Sequence, residues 1–170
     1  MFTRLIYLQC IEFLRNIESK ISIYPMSEQL FNTKVCDVMM KTVATVDMDD
    51  NLATVKEIFD NTTFHHLLVV ENDRLFSVIS DRDLFKALSP NIGKISESNR
   101  DFATLNKRVH QIMTRSPITL DMHASIHYLF TCFESYSISC LPVLDQDNKP
   151  VGIISWRDLL KFLRKYLEAL

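Results

Sequence analysis

The chain contains an internal repeat, and this repeat constrains the fold more than any single motif does. Residues 35–39 (Val-Cys-Asp-Val-Met) are matched 74 residues later by residues 109–113 (Val-His-Gln-Ile-Met). The register then holds for three further pairs of segments: 45–48 with 119–122, 67–70 with 141–144 and, after one inserted residue near 147–149, 80–84 with 155–159. Each copy is therefore expected to be one supersecondary unit that buries its apolar face against its twin.

The first copy has the pattern of a β-α-β-β-α unit. A β-branched stretch at 43–46 precedes apolar residues at 52, 55, 58 and 59, whose spacing predicts an amphipathic helix. Asp49 or Asp50 is predicted to cap that helix. Two apolar runs, 67–70 and 75–79, flank a Glu-Asn-Asp-Arg sequence and predict a β-hairpin. A helical stretch over 81–88 closes the unit.

The second copy repeats this course. A strand is predicted at 118–120, an amphipathic helix from residue 126, a hairpin from runs 141–144 and 151–154, and a closing helix over 157–167. In both copies a helix separates the first strand from the hairpin, which requires a crossover connection and a mixed sheet. The predicted fold class is therefore α/β (α+β), built from two such repeats.

The repeat divides the chain into four predicted segments: an N-terminal helical extension over 1–34, repeat 1 over 35–88, a linker over 89–108 and repeat 2 over 109–168. Apolar residues recur at roughly helical spacing from Leu5 to Ile21, before Pro25. This stretch predicts a helix that packs on the module or at a dimer contact. A membrane-surface helix is disfavoured because the polar face mixes acidic and basic residues.

Composition excludes several classes of function. A net charge of −2 gives no basic footprint for nucleic acid, and no apolar run approaches the ~20 residues that cross a bilayer. The four cysteines show no zinc spacing, which favours free thiols in a reducing, cytoplasmic compartment. With two glycines, no phosphate-binding glycine loop or dinucleotide fingerprint is available. We therefore expect no enzyme activity and no required cofactor.

The motifs of the second copy resemble those of the CBS domain, the cystathionine-β-synthase type of repeat. They are the opening Val-His-Gln-Ile-Met-Thr, the strand Leu-Pro-Val-Leu-Asp and the closing Val-Gly-Ile-Ile-Ser-Trp-Arg-Asp-Leu-Leu. The first copy matches in outline, with Leu68 in place of Pro142 and Ser77 in place of Gly152. Together the copies resemble a CBS pair, or Bateman module. The resemblance implies two repeats related by a pseudo-two-fold axis, an adenine nucleotide between them and a disc-like homodimer.

The candidate ligand motif is Ser-x-x-Asp where the last strand meets the closing helix, at Ser80/Asp83 and Ser155/Asp158. The carboxylate can accept hydrogen bonds from both hydroxyls of a ribose, and the helix N-terminus can hold phosphate oxygens. The same pattern is also a capping box, which by itself would be purely structural. The resemblance favours the ribose role, and the two roles can partly coexist.

The resemblance implies two unequal sites. The better site would comprise Asp158, Ser155, Arg157, Ala44, His65 and His66. The weaker site would comprise Asp83, Ser80, Arg82, Ile118, Ser139 and Cys140. We expect the first site to bind anions better because its histidines would become cationic as the pH falls toward 6, whereas Ser139 and Cys140 carry no charge. Ser77 would also restrict ligand approach at the weaker site where a glycine would permit it.

The roles of the histidine, arginine and tryptophan side chains near these sites need separate consideration. Two adjacent histidines do not supply the three or four ligands of a zinc site, so no metal is expected. Arg82 and Arg157 would either reach phosphates or remain solvated cations on a first helical turn. Trp156, the only tryptophan, would either stack on a ligand or pack at a dimer contact.

The sequence thus predicts a cytoplasmic regulatory module that binds an adenine nucleotide (AMP, ADP, ATP or a related adenosyl compound) and signals through dimer or partner conformation. The alternative is a ligand-free CBS module for dimerisation or protein interaction. Expected partners are the nucleotide, a second copy of the chain and an unidentified protein, without nucleic acid or membrane.

Overall fold

Two sheets and five α-helices make up the described part of the computed structural model, which comprises residue 30 and residues 32–168. Repeat 1 contains β1 (Thr45–Val46), α1 (Leu52–Asn61), β2 (His66–Glu71), β3 (Arg74–Ser80) and α2 (Asp81–Ala87). The linker contains α3 (Asn99–Phe102). Repeat 2 contains β4 (Thr114–Arg115), β5 (Leu120–Asp121), α4 (Ile126–Ser135), β6 (Cys140–Leu144), β7 (Pro150–Ser155) and α5 (Trp156–Glu168). Short 3₁₀ turns lie at Val35–Asp37, Ala103–Asn106 and Val109–Gln111.

This architecture confirms the predicted α/β class and the β-α-β-β-α order of both repeats. Each sheet is mixed, because β1 pairs with β2 and β5 with β6 in parallel while each hairpin is antiparallel. The first hairpin turns through Asn72 and Asp73, both with positive φ, as a tight two-residue turn requires. The predicted N-terminal helix falls almost wholly on residues 1–29, which lie outside the described residues.

The cap of α1 differs from the prediction. Asn51, rather than Asp49 or Asp50, occupies the N-cap position, and its side-chain oxygen accepts a hydrogen bond from Thr54 N at 2.9 Å. The Asp50 carboxylate instead accepts from Asp47 N at 2.9 Å. The aspartates sit in the turn before the helix, too early to reach the free amides of its first turn. At the equivalent position of repeat 2, Ser125 caps α4.

The segments that open the two repeats are exchanged between them. Val35 N donates to Ala124 O at 2.9 Å in repeat 2, and Val109 N donates to Asp50 O at 3.0 Å in repeat 1. The next residues repeat this relation, since Cys36 N donates to a carbonyl of repeat 2 and His110 N to a carbonyl of repeat 1. These bonds are related by the same 74-residue offset as the sequence repeat. The backbone therefore has a pseudo-two-fold relation at the level of individual hydrogen bonds.

Each hydrophobic core consequently contains residues from the other repeat's opening segment. Val35 is fully buried in the core of repeat 2, beside Leu129 and Ile154. Val109 is fully buried in the core of repeat 1, beside Leu52 and Ile79. Burial of one such side chain stabilises the fold by roughly 1.5–3 kcal/mol. Separating the repeats would expose both valines, so the two cores depend on each other.

The exchanged segments continue onto the edge of each hairpin. β4 pairs with β3 through Thr114 and Val78, and Met40 pairs with Ile153 on β7. Ser77, fully buried, donates its hydroxyl hydrogen bond to Thr114 O. Gly152, at the equivalent position, packs against the Met39 side chain, and an added Cβ would lie 3.0 Å from Met40 O. Both positions therefore serve inter-repeat packing, and the prediction that Ser77 restricts a ligand is wrong because its side chain is buried beneath β4.

Gly152→Ala is expected to lower the free energy of unfolding by about 1–3 kcal/mol, because the new methyl group overpacks a site bounded by backbone. Chemical denaturation measures this change. Gly93→Ala provides a contrast, since a Cβ there meets open space and any cost comes from its positive φ of 77°. An unfolding midpoint for Gly152→Ala equal to that of the parent would show that the opening segment moves aside freely.

Candidate functional site

A cleft of about 450 Å³ lies between the repeats and is lined by both. Repeat 1 contributes residues at the start of β2 and at the junction of β3 with α2. Repeat 2 contributes the junction of β7 with α5, and the opening segment contributes Met40. The complete lining is Met40, Thr63, Phe64, His65, His66, Ser80, Asp81, Arg82, Ser139, Ile153, Ser155, Trp156, Arg157, Asp158 and Lys161. Its volume is within the range of small-molecule sites.

Asp158 lies in this cleft at the first turn of α5, with its side chain 15% exposed. Its Oδ2 accepts hydrogen bonds from Ser155 N at 3.0 Å and from Ser155 Oγ at 2.6 Å, while Asp158 N donates weakly to Ser155 Oγ. The other carboxylate oxygen, Oδ1, is 3.9 Å from Lys161 Nζ. The carboxylate thus caps α5 with one oxygen and leaves the other with a single long ionic contact.

The same capping box occurs three times in the described chain. Ser80 and Asp83 form it at α2, and Ser98 and Asp101 form it at α3 in the linker. Asp101 also accepts from Ser89 Oγ at 2.5 Å, and the serine hydrogen bonds lower the pKa of its carboxyl to about 2. The Ser98–Asp101 copy was missed by the sequence analysis. In the described residues Ser-x-Arg-Asp forms a helix cap at each of its three occurrences, so tertiary placement is what distinguishes Asp158.

His65 and His66 have different environments at the edge of β2. His65 Nδ1 lies 2.7 Å from Asp81 Oδ2, and its side chain is half exposed. His66 Nε2 lies 2.9 Å from Ser139 Oγ, a contact that joins the two repeats across the cleft. Burial lowers the pKa of His66, with Asp81 opposing that shift and His65 adding to it. This lowered pKa opposes the predicted charging of His66 as the pH falls toward 6, because desolvation disfavours the charged form.

Three cations line the cleft, all of them largely solvated. The Arg157 guanidinium lies over the Trp156 ring at 5.7 Å, within cation–π distance. Arg82 is exposed, and the Lys161 side chain is 68% exposed. Lys161 was not predicted, although its position three residues after Asp158 on a helix places both on one face. These groups can meet an anion at the rim of the cleft without themselves being desolvated.

The structure groups the predicted site residues differently from the two sites given by the resemblance. Of the better site, Asp158, Ser155, Arg157, His65 and His66 line the cleft. Of the weaker site, Ser80, Arg82 and Ser139 line the same cleft. The remaining four predicted residues, Ala44, Asp83, Ile118 and Cys140, are not part of its lining. The residues that the sequence analysis missed are Met40, Thr63, Phe64, Asp81, Ile153 and Lys161.

The four residues outside the lining have structural environments. Ala44 packs against the core of repeat 1, and its carbonyl accepts from Leu68 N at 3.0 Å. Ile118 packs against the core of repeat 2. Asp83 forms the capping box of α2, and burial raises the pKa of the Cys140 thiol to about 12. A thiol with that pKa stays protonated and offers no charge to a ligand.

Among residue 30 and residues 32–168, no group of three or more His, Cys, Asp or Glu side chains is arranged to hold a metal ion. Within the same residues, no helix is long and apolar enough to cross a membrane.

The CBS domain family model matches residues 35–90 and 109–165, which cover both repeats and more than half of the chain. The chain belongs to the CBS domain family. A CBS domain-containing protein of Dictyostelium discoideum is 31% identical over 136 residues, covering 79% of this chain and 93% of that protein. The two matched ranges coincide with the two repeats of the sequence and of the fold.

Other relatives are longer than the chain. An uncharacterized protein of Methanocaldococcus jannaschii is 30% identical, and the match covers 78% of this chain but 40% of that protein. The homoserine O-acetyltransferase of Methanococcus vannielii is 29% identical, and the match covers 78% of this chain but 25% of that enzyme. Because the match covers only a quarter of the enzyme's length, the enzyme's activity is not transferred to this chain.

Solved structures share the fold at lower identity. The CBS domain pair of protein MJ0100, in complex with 5′-methylthioadenosine and S-adenosyl-L-methionine, superposes with a TM-score of 0.64 at 24% identity, covering 78% of this chain and 97% of that one. The cytosolic domain of the Mg²⁺ channel MgtE, in complex with ATP, gives a TM-score of 0.61 at 20% identity, covering 79% and 50%.

The lowered pKa of His66 predicts that the stability of the fold depends on pH. Folding favours the neutral imidazole, so stability is complete above the ordinary histidine pKa of 6.5 and falls as the pH drops from there toward the lower folded-state value. His66→Gln, which retains an amide able to reach Ser139, should lose less stability between about pH 7.5 and about pH 5 than the parent does. Denaturant titration at the two pH values measures the difference.

His123→Gln is the matched control, because His123 is exposed and its replacement should leave the pH slope of the parent unchanged. Equal slopes for the parent and His66→Gln would mean that His66 titrates alike in the folded and unfolded states.

Proposed function

We propose that the chain is a regulatory module that binds an adenosyl ligand, of the AMP, ADP or ATP type or a relative, in the cleft between its CBS repeats. The observation that carries the proposal is the placement of Asp158. Of the three described carboxylates that cap helices through Ser-x-Arg-Asp, Asp158 is the one that lines this inter-repeat cleft. Two structural neighbours support the ligand class, the MJ0100 CBS domain pair with its adenosyl compounds and the MgtE cytosolic domain with ATP.

The cleft offers a distinct group for each part of such a ligand. The Asp158 carboxylate accepts from ribose hydroxyls, and its remaining oxygen makes this contact compatible with the helix cap. Apolar side chains of Met40, Phe64 and Ile153 provide surface for a purine ring. Arg157, with its neighbours at the start of α5, meets a phosphate at the rim. The ligand acts as an effector in this scheme, with no cofactor required.

Occupancy is transmitted because the ligand touches both repeats. The His66–Ser139 contact spans the same cleft and is sensitive to the relative position of β2 and β6. A ligand that prefers one arrangement of the repeats shifts the population toward it. The change reaches a second copy or another protein only through that preference. We further propose a cytoplasmic location, which the free thiols of Cys36, Cys132 and Cys140 support.

Binding is tested by calorimetric titration of the full chain with AMP, ADP, ATP and S-adenosylmethionine. We expect one strong site per chain and a loss of about ten- to a hundredfold in affinity for Asp158→Asn, the usual effect of losing hydrogen bonds to a charged acceptor. Asp101→Asn is the control, since it alters the same kind of capping box in the linker and should leave affinity unchanged.

Two outcomes would contradict this function. Equal affinity in Asp158→Asn and the parent would make the carboxylate a helix cap only. No heat and no thermal stabilisation with any of the four compounds in excess would favour the alternative, a ligand-free CBS module for interaction, because a ligand that binds the folded state raises its stability by mass action.

We also propose that two chains form a homodimer through their closing helices. Phe85 on α2 and Leu160 on α5 occupy equivalent positions of the two repeats, and both are exposed, at 66% and 38%. Equivalent apolar residues on two pseudo-symmetric helices suit a self-complementary interface. The N-terminal residues, outside the described part, are a candidate addition to this contact.

Sedimentation at micromolar concentration should therefore give a dimer. Phe85→Glu with Leu160→Glu should give monomers, because four charged side chains would be buried without partners in each interface. Phe102→Glu, at a linker phenylalanine that is 58% exposed, should remain dimeric. A parent chain that sediments as a monomer would exclude this assembly.

A further inference from the structure

The charged side chains that line the cleft differ in burial, and the two carboxylates are the more buried ones. The Asp158 side chain is 15% exposed and the Asp81 side chain is 27% exposed. Lys161 is 68% exposed, and Arg82 and Arg157 are also exposed. Charges in partly buried positions interact more strongly than solvated ones, which water and salt screen. The interior of the cleft is therefore more negative than a count of its charges suggests.

The cations are also partly committed elsewhere. The Lys161 ammonium lies 3.9 Å from an Asp158 carboxylate oxygen, and the Arg157 guanidinium lies over Trp156. They line the same cleft as Asp81, so a phosphate group of a bound ligand would meet both the cations and the carboxylates.

The fold does not require an acidic residue at position 81. The cap of α2 is made by Ser80 and Asp83, without the Asp81 side chain. In repeat 2 the equivalent position holds Trp156, at the start of an otherwise equivalent closing helix. The Asp81 carboxylate contacts His65 at 2.7 Å, on the wall of the cleft. Asp81 thus lines the cleft, and its contact with His65 serves neither helix capping nor core packing.

We propose that Asp81 is a specificity-determining residue that makes the cleft select adenosyl ligands of low negative charge, carrying at most one phosphate or a cationic group, over ADP and ATP. The inference rests on the proposed function, because it concerns the same cleft. The mechanism is discrimination by repulsion, in which a carboxylate faces the extra phosphates of the disfavoured ligand.

The test is a charge series of adenosine, AMP, ADP, ATP and S-adenosylmethionine, titrated calorimetrically into the full chain at low ionic strength. The parent should bind AMP and S-adenosylmethionine more tightly than ATP. In Asp81→Asn the gain in affinity should grow with ligand charge, from less than about threefold for adenosine to on the order of tenfold for ATP, the scale of one unit-charge repulsion in a partly solvated cleft. S-Adenosylmethionine should not gain.

Glu71→Gln is the matched control. It removes the same unit of charge from the far end of β2, about 16 Å from the His66 end at ~3.3 Å per residue, and should leave every affinity as in the parent. A disturbed fold in Asp81→Asn would weaken all ligands alike, so the charge-dependent gain separates electrostatics from structure. Asp81→Ser, which also lacks the charge, should show the same ranking.

The results distinguish this inference from the function on which it rests. If the parent binds ATP at least as tightly as AMP, or if Asp81→Asn changes adenosine and ATP equally, the role of Asp81 is wrong while adenosyl binding stands. If neither the parent nor Asp81→Asn binds any member of the series, the proposed function and this inference are both overturned.

Discussion

The reciprocal exchange of the opening segments is the interaction on which the rest of the structure depends. Val35 is buried in the core of repeat 2 and Val109 in the core of repeat 1, each positioned by a backbone hydrogen bond to the other repeat. Neither repeat can complete its core alone, which ties their stabilities together. The cleft between them is consequently held on two sides by packed elements. Relative motion of the repeats is opposed by these contacts, and a ligand spanning the cleft would bias their relative position.

The elements could be predicted from sequence because their signals are local. Helix stripes, hairpin turn residues and the 74-residue offset all lie within short windows, and the structure follows them to within about two residues at most boundaries. The exchange could not be predicted, because a valine at residue 35 has the same apolar signature in either core. The same limit explains Gly152, whose neighbour Met39 is distant in sequence. The α1 cap was missed by one position, since three consecutive Asx residues precede that helix.

The candidate site was predictable in part for a related reason. Ser-x-Arg-Asp is a local pattern, and its local consequence, a capping box, follows at all three occurrences. Whether such a carboxylate also faces a ligand depends on which surfaces the tertiary fold brings together. Asp158 and Lys161 share a helix face in the cleft, whereas Asp101 is used to hold the linker to Ser89. Asp81 was missed because it precedes the motif's arginine, in a position that the family resemblance did not single out.

The two repeats share a backbone arrangement but contribute different side chains to the cleft. Backbone hydrogen bonds recur at equivalent positions in the two repeats, since exchanged segments must satisfy the same backbone groups in each. Side chains at the cleft do not share that constraint, and there the repeats differ. Repeat 1 has His65 in contact with Asp81, whereas the equivalent positions of repeat 2 hold Ser139 and Trp156. Packing does not require this difference, because either pair of residues is compatible with the helix cap and the strand pairing that the two repeats share. The proposed function uses this divergence, because a ligand in the cleft would meet different chemistry from the two repeats.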